Sequence, residues 1–357
     1  MLKVLTLNLS KYFPFLLKTI AYVPDSITIS LTYNCNCRCI MCNYWKYAKP
    51  DDMNAETVKD IMFQAKQAGV KACVLYGGEP LLRKDIFDLT AYAHDLGLVT
   101  KIITNGMLLD REKAEKLVDS GLDKIVISID TVDNNQDYIR GVKDAFLKAR
   151  EGLSNMVRLR DKKNIEIMIA SVLMRPTLKE QRILKVVDMA REMKVSVLIQ
   201  LVDFSLFYYK GVDEQLKKEL WITDENQEEL KELVKKLIEI KKESPELIVD
   251  SIPALQYIPR YFKDPKSADI PCYIGFSGRI WISPQAEVFI CQGLSAIGDL
   301  KKQSFKEILQ SKALRQMLEK MFRKNCSGCS CMFSSNIDAH IPCMWKDYMA
   351  RNLGLRK

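Results

Sequence analysis

Apolar residues follow two alternating patterns through the first half of the chain. Short, nearly continuous apolar runs are typical of strands buried on both faces, and they alternate with segments of helical periodicity. In the segment 54–69, for example, Asn54 can cap the start of a helix and Gly69 can end it. The residues that share its apolar face are Val58, Ile61, Met62 and Ala65. The predicted strands are 25–32, 71–76, 97–103, 123–130, 164–174 and 195–202.

Helices between these six strands predict right-handed crossovers and therefore a parallel sheet. In such sheets the chemistry collects at the carboxyl ends of the strands. The unusual residues of this sequence fall at those ends, so we expect one functional site there. They are a cysteine-rich loop at 35–42 after the first strand, GGEP at 77–80 after the second, TNG at 104–106 after the third, and SID at 128–130 ending the fourth.

The pattern changes in the second half of the chain. A polar, helix-rich stretch at about 212–244 is followed by GRIWISPQAEVFIC at 278–291, which predicts a β-hairpin, and by a helix near 304–323. We expect the C-terminal part to form a small domain of its own. The four predicted parts are an N-terminal amphipathic extension at 1–24, a core at 25–205, a helical connector at 206–265 that completes the side of the core, and a C-terminal domain at 266–357.

The amino-acid composition limits the kinds of function that this chain can have. The chain has 357 residues, of which 48% are hydrophobic, so it can bury a sizeable core. Its 11 cysteines gather mainly at 35–42 and 326–343. A secreted disulfide scaffold would be shorter and denser in cysteine, so metal or redox chemistry is favoured. The net charge is +9, but the basic residues are spread and no nucleic-acid module is visible, which favours an acidic redox partner or an anionic surface.

The first cysteine group has a spacing that suits an iron–sulfur cluster. Cys35, Cys39 and Cys42 are spaced C-x3-C-x2-C, and three thiolates on a tight loop can hold three irons of a [4Fe–4S] cube while the fourth iron stays open. Zinc is the alternative, with Cys37 as the fourth ligand. We interpret Cys37 as a spectator, because its side chain would have to turn inward on a crowded loop. Cys73 lies inside a strand, where a buried, inert cysteine is the usual case.

These motifs together resemble the radical S-adenosylmethionine superfamily over about residues 25–205: C-x3-C-x2-C, GGEP, TNG, SID and IRG at 139–141. The resemblance implies a partial (β/α)6 TIM-like barrel, followed here by a small C-terminal auxiliary-cluster domain of a β-hairpin plus a helix. It also implies that the open iron binds the amino and carboxylate groups of S-adenosylmethionine. Reductive cleavage then gives a 5′-deoxyadenosyl radical, which abstracts hydrogen from an unactivated carbon.

The same resemblance implies which residues bind the cofactor. The glycine pair lets backbone approach the methionine end, Glu79 accepts from its ammonium group, Ser128 and Asp130 meet the ribose, and Arg140 meets the carboxylate. The structural alternatives are a plain turn for the glycine pair, a hydrogen bond to backbone for Ser128, a cap for Asp130 and a surface ion pair for Arg140. The full predicted set is Gly77, Gly78, Glu79, Pro80, Thr104, Asn105, Ser128, Asp130 and Arg140.

The C-terminal cysteines resemble the auxiliary-cluster extensions of this superfamily, called SPASM and twitch. A cysteine before the hairpin, one at its end and a C-x2-C after the helix would bind one auxiliary [4Fe–4S] cluster. The corresponding residues are Cys272, Cys291, Cys326 and Cys329. Two alternatives stay open: zinc on the same four thiolates, or a cluster on Cys326, Cys329 and Cys343 with one open iron. Cys331 is left over, His340 is a weak ligand candidate, and we expect His94 to pack on a helix or at the surface.

Two positions depart from the family pattern. Ala286 stands in the hairpin turn where the family often has glycine, which leaves the detailed shape of the turn open. Gln292 follows the hairpin cysteine where sulfatase-maturing relatives have an aspartate, and an amide cannot serve as a base. A simple dehydrogenation that collects its proton at this position is therefore disfavoured.

For the substrate we expect an apolar, lipid-like molecule. Only about 25 residues precede the first strand, which leaves no room for the peptide-binding domain that many peptide-modifying relatives carry. The basic and apolar segment 1–24 suits an anionic membrane surface, and the aromatic segment 204–209 follows the sixth strand, where a substrate pocket would lie. Modification of ribosomal peptides is the alternative. A non-catalytic iron–sulfur electron carrier and a zinc-stabilised binding module are further ones.

The expected partners follow from this chemistry. An electron donor such as flavodoxin or ferredoxin must reduce the cluster, and no nucleic acid is needed. No secretory signal or spanning segment is visible, so we expect a cytoplasmic protein that can contact the inner face of the membrane through its N-terminal segment.

Overall fold

A computed structural model of the chain describes residues 24–48, 51–206, 211–267, 272, 278–323 and 328–329. In this part of the chain a single sheet has nine strands in the order β6-β5-β4-β3-β2-β1-β7-β8-β9. The strands are β1 Ser26–Ser30, β2 Ala72–Tyr76, β3 Val99–Thr104, β4 Lys124–Ser128, β5 Glu166–Leu173, β6 Ser196–Leu201, β7 Arg279–Ile282, β8 Glu287–Phe289 and β9 Gly298–Asp299.

The first six strands are parallel neighbours, which confirms the predicted core. Helices connect them and cover the outer face of the sheet. In the core the helices are α1 Ala55–Gln67, α2 Ile86–Asp95, α3 Arg111–Asp119, α4 Asn135–Arg140, α5 Ala145–Lys163, α6 Arg175–Leu178 and α7 Arg182–Glu192. Beyond the core they are α8 Glu214–Leu220, α9 Gln227–Glu243, α10 Ile252–Lys263, α11 Phe305–Gln310 and α12 Lys312–Phe322.

Local signals in the sequence explain where helices begin. Asn54 caps α1 through a bond from the backbone nitrogen of Thr57 to its side-chain oxygen at 2.8 Å, which confirms the predicted cap. The helix predicted near 304–323 is divided in two at Ser311, whose hydroxyl accepts from the backbone nitrogen of Leu314 and starts α12. A serine at this position offers the backbone a capping bond, and that bond ends the continuous helical pattern.

Two clusters of apolar residues lie on opposite faces of the sheet. The larger one fills the space between sheet and helices and includes Ile29, Leu75 and Ile102, all fully buried. The smaller one lies on the inner face and joins Val126, Met168 and Ala170. A sheet with helices only on its outer face and an apolar inner face is the arrangement of a partial barrel.

The C-terminal hairpin extends the same sheet, which the sequence did not indicate. β7 pairs in parallel with β1, so that Ser26 lies opposite Arg279, and β8 and β9 follow in antiparallel order. The strand β1 would otherwise present an unpaired edge, and β7 covers it. The hairpin therefore lies directly beside the strand that leads into the cysteine loop.

No helix among the described residues is long and apolar enough to cross a membrane. The segment 1–24, on which the predicted membrane contact rests, lies outside the described residues except for Pro24. Of the predicted aromatic segment, 207–209 also lie outside them, while Phe204 packs against Trp221 with the ring centroids 6.1 Å apart.

Candidate functional site

The cysteine loop lies at the carboxyl end of β1 and is held by the end of α4. The backbone nitrogen of Arg38 donates to the carbonyl of Arg140 at 2.8 Å, and that of Ile40 donates to Ile139 at 2.9 Å. Gly141 makes this contact possible, because a Cβ there would lie 2.3 Å from the carbonyl oxygen of Arg38. The IRG motif therefore contributes backbone as well as the Arg140 side chain to the site.

The GGEP turn is packed against the same loop from the other side. The backbone nitrogen of Gly78 donates to the carbonyl of Thr32 at 2.7 Å, and the backbone nitrogen of Glu79 donates to the carbonyl of Asn34 at 2.8 Å. A Cβ on Gly78 would lie 2.2 Å from the carbonyl oxygen of Asn34, and one on Gly77 would lie 2.5 Å from that of Thr32. Both glycines are thus needed for the turn to touch the cysteine loop, apart from any approach to a cofactor.

The side chain of Glu79 connects two loops of the site and is fully buried. Its Oε1 accepts from the Thr104 hydroxyl at 2.7 Å and from the Leu81 nitrogen at 3.0 Å, and its Oε2 accepts from the Asn105 nitrogen at 2.8 Å. Burial raises the pKa of Glu79 to about 7, although these donors favour the charged form. All three bonds go to protein, so the side chain fixes the TNG turn relative to GGEP.

Asp130 and Arg140 form a buried ion pair behind the cysteine loop. Arg140 Nη2 lies 2.7 Å from Asp130 Oδ2, and Asp130 Oδ1 accepts from the Val172 nitrogen at 2.8 Å. Burial alone would lower the pKa of Arg140, but the carboxylate of Asp130 raises it above its usual value. Arg140 Nη1 also lies 3.9 Å from the sulfur of Cys39, so the pair brings a fixed positive charge to the thiol.

These elements enclose one open cavity, with about 820 Å³ of empty space when its mouth is counted. Most of the predicted site residues share its wall, while Glu79, Pro80 and Asp130 are buried and do not line it. The predicted residues that line the cavity are Cys35, Cys39, Cys42, Gly77, Gly78, Thr104, Asn105, Ser128 and Arg140.

The three cysteines fit a cluster better than a single ion. Among the described residues, no group of three or more His, Cys, Asp or Glu side chains converges on one metal position. Thiolates that each bind a different iron of a cube do not need to converge. A hydrogen bond from the side chain of Cys37 lowers the pKa of Cys39 to about 7, and the positive charge of Arg140 acts in the same direction. Burial alone would raise this pKa. Backbone nitrogens also donate to the sulfurs of Cys35 and Cys42, each at 3.4 Å.

The other two cysteines of this region have different surroundings. Cys37 is buried and its sulfur lies 3.5 Å from that of Met107. It also borders the cavity, so its role as a spectator stays a prediction. Cys73 is fully buried within β2, and burial raises the pKa of its thiol to about 12, as expected for an inert thiol.

A chain of hydroxyl and amide groups crosses from the cavity wall to the C-terminal hairpin. The Tyr44 hydroxyl donates to the Ser30 hydroxyl at 3.0 Å and lies 3.2 Å from that of Tyr76, and Gln292 Nε2 donates to the Tyr76 hydroxyl at 2.6 Å. Burial raises the pKa of both tyrosines above 10. Tyr76 is not among the predicted site residues, although its place directly before the glycine pair and its alternation in β2 put it on the inner face.

The auxiliary cysteines are described only in part. Cys272 is buried, and Cys291 and Cys329 are partly buried. Gly328 has φ 80° and a Cβ there would lie 2.5 Å from the carbonyl oxygen of Pro265, which brings the backbone beside Cys329 close to the end of α10. The predicted or alternative ligands outside the described residues are Cys326, Cys331, His340 and Cys343.

The turn of the hairpin explains the departure from the family pattern at Ala286. This residue is fully buried and has φ 70°, a left-handed conformation that glycine adopts without strain. The turn therefore keeps the shape that glycine would permit, and the alanine side chain is accommodated in the core.

Comparison with known families identifies the chain. Residues 29–220 match the Radical SAM superfamily, and residues 272–331 match the SPASM iron-sulfur cluster-binding domain. The first match spans more than half of the chain, so the protein belongs to the radical SAM superfamily. It is a radical SAM enzyme with a SPASM domain, and its cofactors are S-adenosylmethionine, a [4Fe–4S] cluster and auxiliary iron–sulfur.

Curated relatives match part of the sequence. Fe-coproporphyrin III synthase of Methanosarcina barkeri is 36% identical over 132 residues, which are 35% of this chain and 32% of that protein. PqqA peptide cyclase of Xanthomonas euvesicatoria is 32% identical over 136 residues, 37% of each chain. The chain thus spans about a third of the length of these relatives.

Solved structures share the fold over most of the chain. SuiB of Streptococcus suis bound to S-adenosylmethionine has a TM-score of 0.62 and 18% identity, covering 87% of this chain and 72% of its own. Native anSMEcpe with bound AdoMet and the Cp18Cys peptide has a TM-score of 0.61 and 17% identity, covering 92% and 96%. The likeness confirms the predicted partial barrel.

Proposed function

We propose that this enzyme cleaves S-adenosylmethionine reductively and uses the resulting 5′-deoxyadenosyl radical to modify a C–H bond of a peptide. The observation that carries the cleavage is the shared cavity, which brings Cys35, Cys39 and Cys42 together with the glycine pair at the carboxyl edge of the sheet. The cluster and S-adenosylmethionine would supply the radical chemistry. The surrounding side chains bind, orient and exclude water.

Two side chains of the cavity wall have bonding capacity left for a cofactor. Arg140 Nε is buried and has no hydrogen-bond partner among the described residues, so a donor remains for a carboxylate. The hydroxyl of Ser128 also makes no bond within the described residues, while its carbonyl accepts from Gln136. We assign Arg140 to the carboxylate and Ser128 to a ribose hydroxyl of S-adenosylmethionine. Asp130 acts indirectly, because it is buried and orients Arg140.

The polar chain at the opposite wall cannot act as a base. The Tyr44 hydroxyl donates to Ser30, Gln292 donates to the Tyr76 hydroxyl, and the two tyrosine hydroxyls lie 3.2 Å apart. An amide does not accept a proton at neutral pH, and both tyrosines stay neutral because burial raises their pKa values. We therefore infer that this wall positions the substrate and that the reaction does not release a proton here.

A peptide is the substrate class with the most support. A curated relative, PqqA peptide cyclase, is named for a peptide, and solved relatives of the same fold contain bound peptides. The outer strands β6 and β9 do not pair with one another in the described part of the sheet, so its inner face is open along one side. An open side of this kind admits an extended polymer. The lipid-like substrate expected from the N-terminal segment has no support among the described residues.

A tetrapyrrole is the second candidate. The observation that favours it is the 36% identity to Fe-coproporphyrin III synthase. Both candidates use the same cleavage chemistry, so they differ only in what enters the open side of the barrel.

Cleavage can be tested without knowing the substrate. The reconstituted, reduced protein should release 5′-deoxyadenosine from S-adenosylmethionine, and a variant with Cys35, Cys39 and Cys42 replaced by alanine should not. Cys37→Ala is the matched control and should keep the cluster and most of the release. Equal release from the triple variant and the wild type would refute the proposed function.

The substrate class needs a separate measurement. Candidate precursor peptides, tetrapyrrole precursors of Fe-coproporphyrin III and anionic phospholipid vesicles would each be tested for stimulation of 5′-deoxyadenosine release and for mass changes in the added compound. We expect stimulation and a mass change with a peptide. Stimulation by the tetrapyrrole or the vesicles alone would replace the peptide as the proposed substrate.

A further inference from the structure

The cysteine loop and the turn after it carry a stacked pair of cations on Trp45, a residue that also lines the cavity. The guanidinium carbon of Arg38 lies 4.7 Å from the centre of the Trp45 ring, and the ammonium of Lys46 lies 5.3 Å from it. Arg38 and Lys46 are both exposed, while the ring is partly buried. The stack therefore presents two positive charges to solvent on the loop that carries the cluster ligands.

This stack is bonded directly to the backbone of the ligand residues. Arg38 Nη1 donates to the carbonyls of Cys35 and Cys37 at 2.7 and 2.8 Å, and Trp45 Nε1 donates to the carbonyl of Cys42 at 3.0 Å. A partner that contacts the stack would thus lie one side chain away from the residues that bind the irons. An electron from such a partner would therefore have only a short distance to travel to the cluster site.

The cations next to the loop are not neutralised. Arg38, Lys46 and the exposed Lys143 have no acidic partner within ion-pair distance among the described residues. Lys143 follows Gly141 by two residues, and Gly141 packs directly on the carbonyl of Arg38, so the backbone that carries Lys143 runs close to the loop. Positive charge left unpaired at one place attracts an acidic partner over a distance of about 10 Å at moderate salt.

The two helices nearest the loop, α4 and α5, expose apolar side chains. Tyr138 in α4 is 57% exposed and Leu147 in the first turns of α5 is 62% exposed, and both belong to the few large apolar residues that the described part of the chain exposes. The start of α5 is tied to α4 through bonds from the nitrogens of Asp144 and Phe146 to Asp137. Exposed aromatic and aliphatic groups next to unpaired charge are typical of a transient protein-binding surface.

We propose that an acidic electron-carrier protein of the flavodoxin type docks on this surface, formed by Arg38, Trp45, Lys46, Tyr138, Lys143 and Leu147, and reduces the cluster from there. The proposal rests on the proposed function in one respect, because a radical enzyme needs one electron for each cleavage. The donor's flavin hydroquinone is oxidised to the semiquinone as the cluster gains that electron, and no bond to this chain forms or breaks.

Charge reversal on the docking surface tests the proposal. Lys46→Glu combined with Lys143→Glu leaves the bonds of Arg38 and Trp45 to the loop in place. In the cluster-loaded protein we expect the rate of cluster reduction by hydroquinone flavodoxin, followed by cluster absorbance, to fall about tenfold or more at low salt. Binding of oxidised flavodoxin, measured by calorimetry, should weaken to a similar degree. In the wild type both should weaken as salt is added.

The controls separate docking from damage to the site. Lys235→Glu reverses an exposed charge on α9 and should change neither rate nor binding. Reduction by dithionite should be equal in all variants, and dithionite-driven release of 5′-deoxyadenosine reports the proposed function independently of docking. Unchanged flavodoxin kinetics in the double variant, the same loss in Lys235→Glu, or no reduction of the wild type by flavodoxin would each overturn the proposal.

Discussion

The two cysteine groups of this enzyme are built in opposite ways. Cys35, Cys39 and Cys42 lie within one loop that is clamped by backbone bonds from GGEP on one side and from α4 on the other. Cys272, Cys291 and Cys329 come from three separate segments, and among the residues that the structure describes the hairpin segment is part of the sheet. The first site is therefore organised by the fold before any metal binds. A cluster on the predicted auxiliary cysteines would depend more on its metal to join the segments.

This difference makes the two sites sensitive to different changes. In the first site, small backbone distances decide whether the loop has the right shape, so added atoms near the glycines should be more harmful than the loss of one bond. In the predicted second site, each thiolate would join a remote segment to the cluster, so we expect the loss of one ligand to release that segment.

The largest effect is expected from Gly78→Ala. The new Cβ would lie 2.2 Å from a backbone oxygen of the cysteine loop, so the loop must move, and we expect destabilisation of about 3 kcal/mol and loss of the first cluster. Gly97→Ala is the control, since its Cβ would meet only the flexible end of Lys66 at 3.3 Å. It should cost about 1 kcal/mol and keep the cluster. Urea unfolding measures the stability and iron analysis measures the cluster content. A full iron content in Gly78→Ala would contradict the idea that the GGEP turn holds the cysteine loop in shape.

The second effect in size concerns the auxiliary site. Cys291→Ala should remove about four irons per chain and lower the stability of the C-terminal part, while release of 5′-deoxyadenosine continues. Cys73→Ala removes a buried thiol that we assign to no metal and should keep all the iron. Iron analysis and limited proteolysis distinguish the two. If both variants retain the same iron, Cys291 is not a ligand.

The buried carboxyl of Glu79, which fixes the TNG turn relative to GGEP, makes the stability of the protein depend on pH. Its folded pKa of about 7 lies above the ordinary value of 4.5, so the folded state holds a proton that the unfolded state releases. Stability is full below pH 4.5 and falls as the pH rises to about 7, by on the order of 3 kcal/mol. Glu79→Gln should remove this contribution and leave the smaller slope from Asp250, whose pKa burial raises to about 6, while the exposed Glu239→Gln should leave the full slope intact. Unfolding measured from pH 5 to 7.5 tests this, and an equal slope in all three proteins would refute it.

The sequence predicted the first region far better than the second. The order of six parallel strands and the place of the cysteine loop follow from apolar patterning and short motifs, because both depend on nearby residues. The pairing of β7 with β1 could not be predicted, since a strand of four residues carries no signal for a partner some 250 residues away. The local motifs also did not show that Glu79 and Asp130 point into protein, because burial of a polar side chain depends on partners from other loops.

The smallest predicted effect tests the connection between the two regions. Tyr76→Phe removes the hydroxyl that accepts from Gln292, and Gln292→Ala removes the donor, so each should destabilise by about 1 kcal/mol. Because they share one bond, the double variant should lose less than the sum, with a coupling of about 0.5–1 kcal/mol in a double-mutant cycle. Tyr92→Phe, on the helical side of the sheet, is the control and should add independently to Gln292→Ala. Additive losses for Tyr76 and Gln292 would mean that this bond does not hold the hairpin to the barrel, and the hairpin would then depend on contacts such as the β1–β7 pairing and the bond from the Met53 nitrogen to the Pro284 carbonyl.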